Sequence, residues 1–292
     1  MRRMDLRTRQ ALYGYLFIAP WLVGFLVFVA RPFLSSIRLA FSKVNMMAGF
    51  QLEYIGWENF KEAFVVDESF VPTLVEVILR NVIDVPIILT FSLVTAFLVN
   101  QKIRGVGFFR AVFFLPVVIA SGLVVEQLFD QGVGAVELQA VVGLDIPMLV
   151  YRFLPVQFAD VVIDVLTRLT LILWRSGIQI LLFVAGFQGI SSTIYEASRI
   201  DGATDWEIFW KITLPMLSPI ILVNTIYTIV DGFTDFFNPM VNFIRDVAFR
   251  GSFRLGYAAA LGWIYFLLIF LMIGTIFITS RKWVFYGGER EG

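Results

Sequence analysis

The sequence contains no cysteine and no histidine. Their absence removes disulfides, thiolate and imidazole metal sites, Ser-His-Asp triads and cysteine nucleophiles in one step. Charge is scarce too. Asp, Glu, Lys and Arg make up 16% of the 292 residues, against about 25% in a soluble domain. The 23 basic and 23 acidic residues cancel, so no global field points to nucleic acid. Apolar residues take their place: 59% of the chain is hydrophobic and 31 residues are Phe. The mean hydropathy is +0.82. This composition excludes both an ordinary soluble domain and a disordered chain, and it points to a protein integrated in a bilayer.

A helix needs about 20 apolar residues to cross the hydrocarbon core. Six stretches meet that rule, at 12–30, 71–99, 108–125, 159–187, 214–233 and 257–280. The expected fold is all-α and polytopic, one domain over residues 1–292 with six transmembrane helices. Arg2, Arg3, Arg7 and Arg9 precede the first stretch, which reads as an uncleaved span. Lys102, Arg104 and Arg110 link the second and third, and Arg281 and Lys282 follow the last. The positive-inside rule then places both termini in the cytoplasm. Against it, Arg245, Arg250 and Arg254 fall in the fifth connection, on the outer side. The first outer loop, at 41–70, is either a docking surface or a structured cap. No repeat of the kind many secondary carriers carry is visible.

Charges within spans cost about 2.5 kcal/mol or more each and usually face the bundle interior. At 100° per residue, Glu76, Arg80 and Asp84 share a face of span two. Asp164, Arg168, Arg175 and Gln179 share one in span four if that helix is continuous. Asn224, Tyr227, Asp231, Asp235 and Asn238 form a stripe on span five. For spans two and four, ion pairs within each helix compete with a passage lining. Span five lacks basic partners, which argues against simple ion pairing, so passage lining and hydrogen-bonded helix packing are its two readings. No catalytic constellation accompanies these carboxylates, and the chain is not expected to be an enzyme.

The segment 188–215 is the most informative. Thr193 with Glu196, and Thr204 with Glu207, have the spacing of capping boxes. Gly202 lies between them, where a left-handed residue ends a helix. Pro215 and Pro219 argue against a plain helical run into span five. Local physics therefore predicts a helix–turn–helix, with Trp206, Phe209, Trp210 and Thr213 on one face of its second helix. A surface loop and a partner-docking element are both compatible with this pattern.

Glu196-Ala-Ser-x-x-Asp201-Gly202-Ala203, with Phe209 and Ile212-Thr-Leu-Pro215, resembles the EAA loop of binding-protein-dependent ABC permeases. Ser198 stands where a second alanine is commoner. Leu16-Phe-Ile-Ala-Pro20, Lys102 to Arg110, Phe113-Phe-Leu-Pro116, Trp174-Arg-Ser-Gly177, Phe249-Arg-Gly and Gly256-Tyr-Ala-Ala-Ala260 are similar to carbohydrate-uptake permeases related to the maltose and glycerol-phosphate systems. Only the segment 130–166 carries no recognisable motif.

The resemblance implies a bacterial inner-membrane importer subunit that moves a sugar or oligosaccharide by alternating access. It implies a second, different permease chain, two cytoplasmic ATPases and an extracytoplasmic solute-binding protein. Glu196, Ala197, Asp201, Gly202 and Ala203 match the positions that couple to the ATPase. The chain has no GxxxxGK[ST] phosphate loop, so no cofactor is expected in it; ATP and Mg belong to the partner. Gln179, Tyr227, Asp231, Asp235, Asn238 and Asn242 are the expected substrate pathway. An ion-coupled carrier using Glu76, Asp164 or Asp231 is the alternative of another class.

Overall fold

Two of the long helices contain a π-helical turn just ahead of a proline. The computed structural model describes residues 6–45, 50–100, 146–235, 238–250 and 253–285. Helix α1 (Leu6–Phe25) runs through a π-helical turn at Leu26–Ala30 into α2 (Arg31–Ala40). The same device recurs later: α9 (Asp205–Ile208) passes through a π turn at Phe209–Thr213 into α10 (Leu214–Thr234). Each wide turn ends shortly before a proline, Pro32 or Pro215. The N–H of Arg31 reaches back to the carbonyl of Leu26, and that of Leu214 to Phe209. An interior proline costs about 3 kcal/mol because it lacks a donor and strikes the carbonyl four residues back. The π turn moves that carbonyl aside. The expectation that Pro215 and Pro219 prevent a helical run into span five is thus corrected: the chain is helical from Asp205 to Thr234.

Among the described residues, four helical stretches are long and apolar enough to cross a bilayer: Leu12–Ala40, Phe70–Asn100, Asp205–Thr234 and Leu255–Ser280. Phe70–Asn100 is α4 and Leu255–Ser280 is α12. The expected third span lies outside the described residues. The expected fourth is not one helix. After the short α5 (Ile146–Phe153), α6 (Val156–Arg175) ends at Ser176 and α7 (Gly177–Gly189) begins. Gln179 therefore lies on a different helix from Arg175. The side chains of Asp164 and Arg168 lie outside those described. Beyond α7, α8 (Ser192–Ile200) leaves at 62°.

The chain forms two packing units. The first comprises Met1–Val77 and Phe237–Phe270. Here the described residues of the loop at 41–70 are structured. Strands β1 (Ser42–Asn45) and β2 (Gln51–Tyr54) pair antiparallel, Ser42 opposite Tyr54, and α3 (Glu58–Val65) follows. Buried Asn59 ties them to the end of α2, its Nδ2 donating to the carbonyls of Ala40 at 2.8 Å and Ser42 at 3.1 Å. Arg254 donates to Glu62 and lies 4.4 Å over the Tyr257 ring; the Tyr257 hydroxyl donates to Asp67 at 2.6 Å. Phe33 and Trp263 meet at 4.8 Å.

Gly256 explains part of its own motif. A Cβ there would stand 2.0 Å from the Ser42 carbonyl oxygen. Gly256→Ala is expected to destabilise this unit by about 1–3 kcal/mol, as overpacking does. Thermal unfolding of the purified chain checks it. Gly262→Ala, which meets nothing within 4 Å, is the control.

The second unit comprises Ile78–Phe236 and Leu271–Gly292. Its core is Ala96 and Val99 of α4, Ile180, Phe183, Val184 and Phe187 of α7, Ile190, and Leu217 of α10. Gly232 lets α4 approach α10, for a Cβ there would fall 1.9 Å from Asn81 Oδ1. Helices α7 and α10 pack along a shared seam, and buried polar groups line it.

Candidate functional site

The turn between α8 and α9 is locked from both sides. Ser191 caps α8, its hydroxyl accepting the Thr193 N–H at 3.4 Å. This corrects the expected Thr193–Glu196 capping box: the helix starts two residues earlier, and Glu196 is released from any cap. Gly202 takes φ +83°, the left-handed region that glycine enters without a Cβ penalty. Its N–H bonds the Arg199 carbonyl at 3.1 Å, and the Ala203 N–H bonds that of Ser198 at 3.0 Å. That pair of bonds is a Schellman ending.

The second expected box is present. The Glu207 N–H donates to Thr204 Oγ1 at 3.3 Å, and the Thr204 N–H donates to Glu207 Oε2 at 3.1 Å. Glu207 lies ahead of the apolar stretch that begins at Leu214. The Lys211 ammonium at 3.0 Å and the Thr204 donors all meet its carboxylate, which closes the cap.

Charge on this element is unevenly used. Arg199 pairs with Asp205 at 3.4 Å and Lys211 with Glu207 at 3.0 Å. The carboxylates of Glu196 and Asp201 are exposed and engage no group among the described residues. Ala197 and Gly202 are exposed and Ala203 is half-buried beside them. Ser198 is buried and its hydroxyl donates to the Ile194 carbonyl at 2.7 Å, so serine fits where alanine is commoner.

The rings of the expected aromatic face stay in contact, Trp206 with Trp210 at 5.5 Å and Trp210 with Phe209 at 5.3 Å, but its members differ in burial. Phe209 packs inward on Phe97 at 5.5 Å, and Thr213 is buried with its hydroxyl 3.4 Å from that of Tyr195. Trp206 and Trp210 stay 71% and 48% exposed.

Along the seam, Asn224 Nδ2 donates to the Gln179 carbonyl at 3.0 Å. Gln179 Nε2 donates to Thr228 Oγ1 at 3.3 Å, and that hydroxyl donates to the Asn224 carbonyl at 2.7 Å. Gln179 and Asn224 are fully buried. At this level, hydrogen-bonded packing is what the stripe of span five does. Toward the end of α10, Arg175 meets Asp231 at 3.7 Å and Asp235 at 2.9 Å. The expectation that span five lacks a basic partner is therefore corrected: the partner comes from α6. Trp174-Arg-Ser-Gly177 held the signal, since its Arg175 ends α6 at the height where the acids of α10 lie. Arg175 is 14% exposed, while Asp231 and Asp235 keep 37% and 26%. Tyr227 is half-buried.

The other two expected pathway residues belong to the first unit. Asn238 is buried and caps α11 (Pro239–Arg245), its Oδ1 accepting the N–H groups of Met240 at 2.9 Å and Val241 at 3.3 Å. Asn242 lies on α11, half-buried. Arg250, on the π turn Asp246–Arg250, pairs with Asp246 at 3.5 Å. Among the described residues no cluster of acids has the makings of a metal site.

Apolar helices of spanning length, a buried polar seam and a rigid, exposed helix–turn–helix define a multi-pass membrane permease. Residues 70–284 match the family described as binding-protein-dependent transport system inner membrane component, and the chain belongs to it. The probable ABC transporter permease protein YesP of Bacillus subtilis (strain 168) is 30% identical over 100% of this chain and 97% of its own length. The lactose transport system permease protein LacF of Rhizobium radiobacter is 29% identical, covering 96% of this chain and 98% of its own. In the crystal structure of a bacterial alginate ABC transporter in complex with an alginate pentasaccharide-bound periplasmic protein, one chain is similar in fold. Its TM-score is 0.66 at 18% identity, over 94% of this chain and 96% of that one. This membership places the chain among transport permeases and not among ion-coupled carriers.

Proposed function

We propose that this chain is the permease subunit of an ATP-driven bacterial importer that carries a sugar or oligosaccharide by alternating access. The observation that carries the reading is the Gly202 turn, locked on both sides, beside two exposed and unengaged carboxylates. A rigid element transmits displacement, and idle charge at its tip suits a partner groove lined by cations or N–H donors. Glu196, Ala197, Asp201, Gly202 and Ala203 form the surface that enters a cytoplasmic ATPase, which holds the ATP and Mg. The carbohydrate assignment is supported by the lactose permease relative and by the family-like motifs.

In this reading one permease domain over 1–292 crosses the membrane six times, the third crossing at 108–125. Both termini and the loop 188–215 are cytoplasmic. Of the three arginines of the fifth connection, which runs against the positive-inside rule in this orientation, Arg250 pairs with Asp246 and Arg254 with Glu62. A second permease chain, two ATPases and an external solute-binding protein complete the assembly. Gln179, Tyr227, Asp231, Asp235, Asn238 and Asn242 are the proposed substrate-pathway residues.

The chain has no cysteine, so Ala203→Cys gives a single reactive site. A short cross-linker in native membranes is expected to join it to a soluble ATPase, with a yield that changes with nucleotide. A reactive cysteine in a folded chain with no such product rejects the coupling assignment.

A further inference from the structure

Two exposed tryptophans at the foot of α10 have no role in the turn. Trp206 and Trp210 meet edge to face at 5.5 Å, with Lys211 adjacent and its side chain 72% exposed. The helix is unbroken from here into the apolar stretch, which fixes the height of these residues. Trp210 precedes Leu214 by four residues, about 6 Å of helix. The headgroup layer is about 5–7 Å deep on each side of the hydrocarbon core.

An independent contact ties the second foot to the first turns of α10. Past the end of α12, the Phe285 N–H donates to Ser218 Oγ, one turn into α10, at 2.8 Å. Arg281, Lys282 and Trp283 therefore flank the base of α10, all exposed, Trp283 at 45%. Neither Arg281 nor Lys282 has an acidic partner among the described residues. Lys211 is already engaged by Glu207.

We propose that the feet of α10 and α12 form one collar for the phospholipid headgroup layer of the cytoplasmic leaflet: Trp206, Trp210 and Trp283 anchor at the interface, and Arg281 and Lys282 select anionic lipid. Indole rings have an apolar body and one N–H donor, which suits the boundary between acyl chains and headgroups. Each basic residue near an anionic surface contributes about a fivefold preference. A protein partner would need to match two cations without acidic partners among the described residues and three rings; an anionic leaflet does so at the end where the helices already cross. The collar gives α10 a fixed point between the Gly202 turn and the polar seam, so motion of the turn becomes tilting of the span. Only the choice of leaflet rests on the proposed cytoplasmic orientation of the loop 188–215.

The test uses the full chain in the assembled transporter, reconstituted in phosphatidylcholine vesicles with or without phosphatidylglycerol. A spin label at Trp210→Cys, and separately at Lys282→Cys, is expected to report headgroup depth, shielded from a water-soluble nickel relaxant with or without the ATPase. Free access to the nickel complex overturns the proposal, and so does shielding that appears only with the ATPase bound, which would make the face a protein contact. In Arg281→Gln and Lys282→Gln chains, retention of spin-labelled phosphatidylglycerol over phosphatidylcholine is expected to fall about fivefold per side chain. An unchanged ratio overturns the lipid selection. A label at headgroup depth together with a failed Ala203→Cys cross-link leaves the collar standing and removes the coupling reading.

Discussion

Gly202→Val is expected to cut uptake by about tenfold while the chain still inserts and folds. The residue holds φ +83°, and a Cβ there meets nothing within 4 Å. Space is therefore open and the cost is conformational. An L-residue held left-handed costs about 1–2 kcal/mol, more for a β-branched one. That shifts the turn's population by a factor of about 5–30. Gly202→Asn separates two causes, because asparagine tolerates the left-handed region. If uptake with asparagine stays near that of the parent, the backbone angle is what matters. If asparagine fails as badly as valine, the ATPase approaches the turn too closely for any side chain. Transport assays on membrane vesicles, paired with the Ala203→Cys cross-link, read both.

Arg175→Gln is expected to lower stability by about 2 kcal/mol and to abolish most uptake. Breaking a fully buried pair costs about 3–5 kcal/mol because a charge is left stranded. Here the figure is discounted, since Asp231 and Asp235 keep 37% and 26% of their side-chain surface. Arg175→Gln combined with Asp235→Asn is expected to recover part of the lost melting temperature, because one of the two carboxylates that Arg175 met is gone and Asp231 remains. Asp231→Ala and Asp235→Ala are each expected to impair uptake with assembly intact. Unchanged uptake in both leaves the triad a structural tie and removes it from the passage.

Much of the architecture was legible in the residues. The apolar stretches 71–99, 214–233 and 257–280 correspond to α4, α10 and α12 within a few residues. Their length is set by bilayer thickness, which is a property of composition alone. The turn at Gly202 and the Thr204–Glu207 cap were legible because both depend on residues within one helical turn of each other. Helix continuity was harder to read. Proline at 215 argued for a stop, yet a π turn absorbs it, and the break in span four falls at Ser176, where no proline marks it. Both depend on what packs against the helix: Phe209 turned in on Phe97, and Ser176 and Gly177 were buried.

The sequence by itself therefore determined the membrane class, the positions of the described long spans, and the one short element that needs left-handed backbone. Each follows from local hydrophobicity or from a single residue's allowed angles. Only the tertiary structure decided which charges are spent and which are idle. Arg175 and the acids of α10 are 56 and 60 positions apart, and Phe285 and Ser218 are 67 apart. No periodicity within a helix encodes such meetings; they exist only once apolar faces pack and fix the height of one helix against another. The same packing leaves Glu196, Asp201, Arg281 and Lys282 without an oppositely charged partner among the described residues. Through these side chains the protein meets whatever lies beyond its own chain.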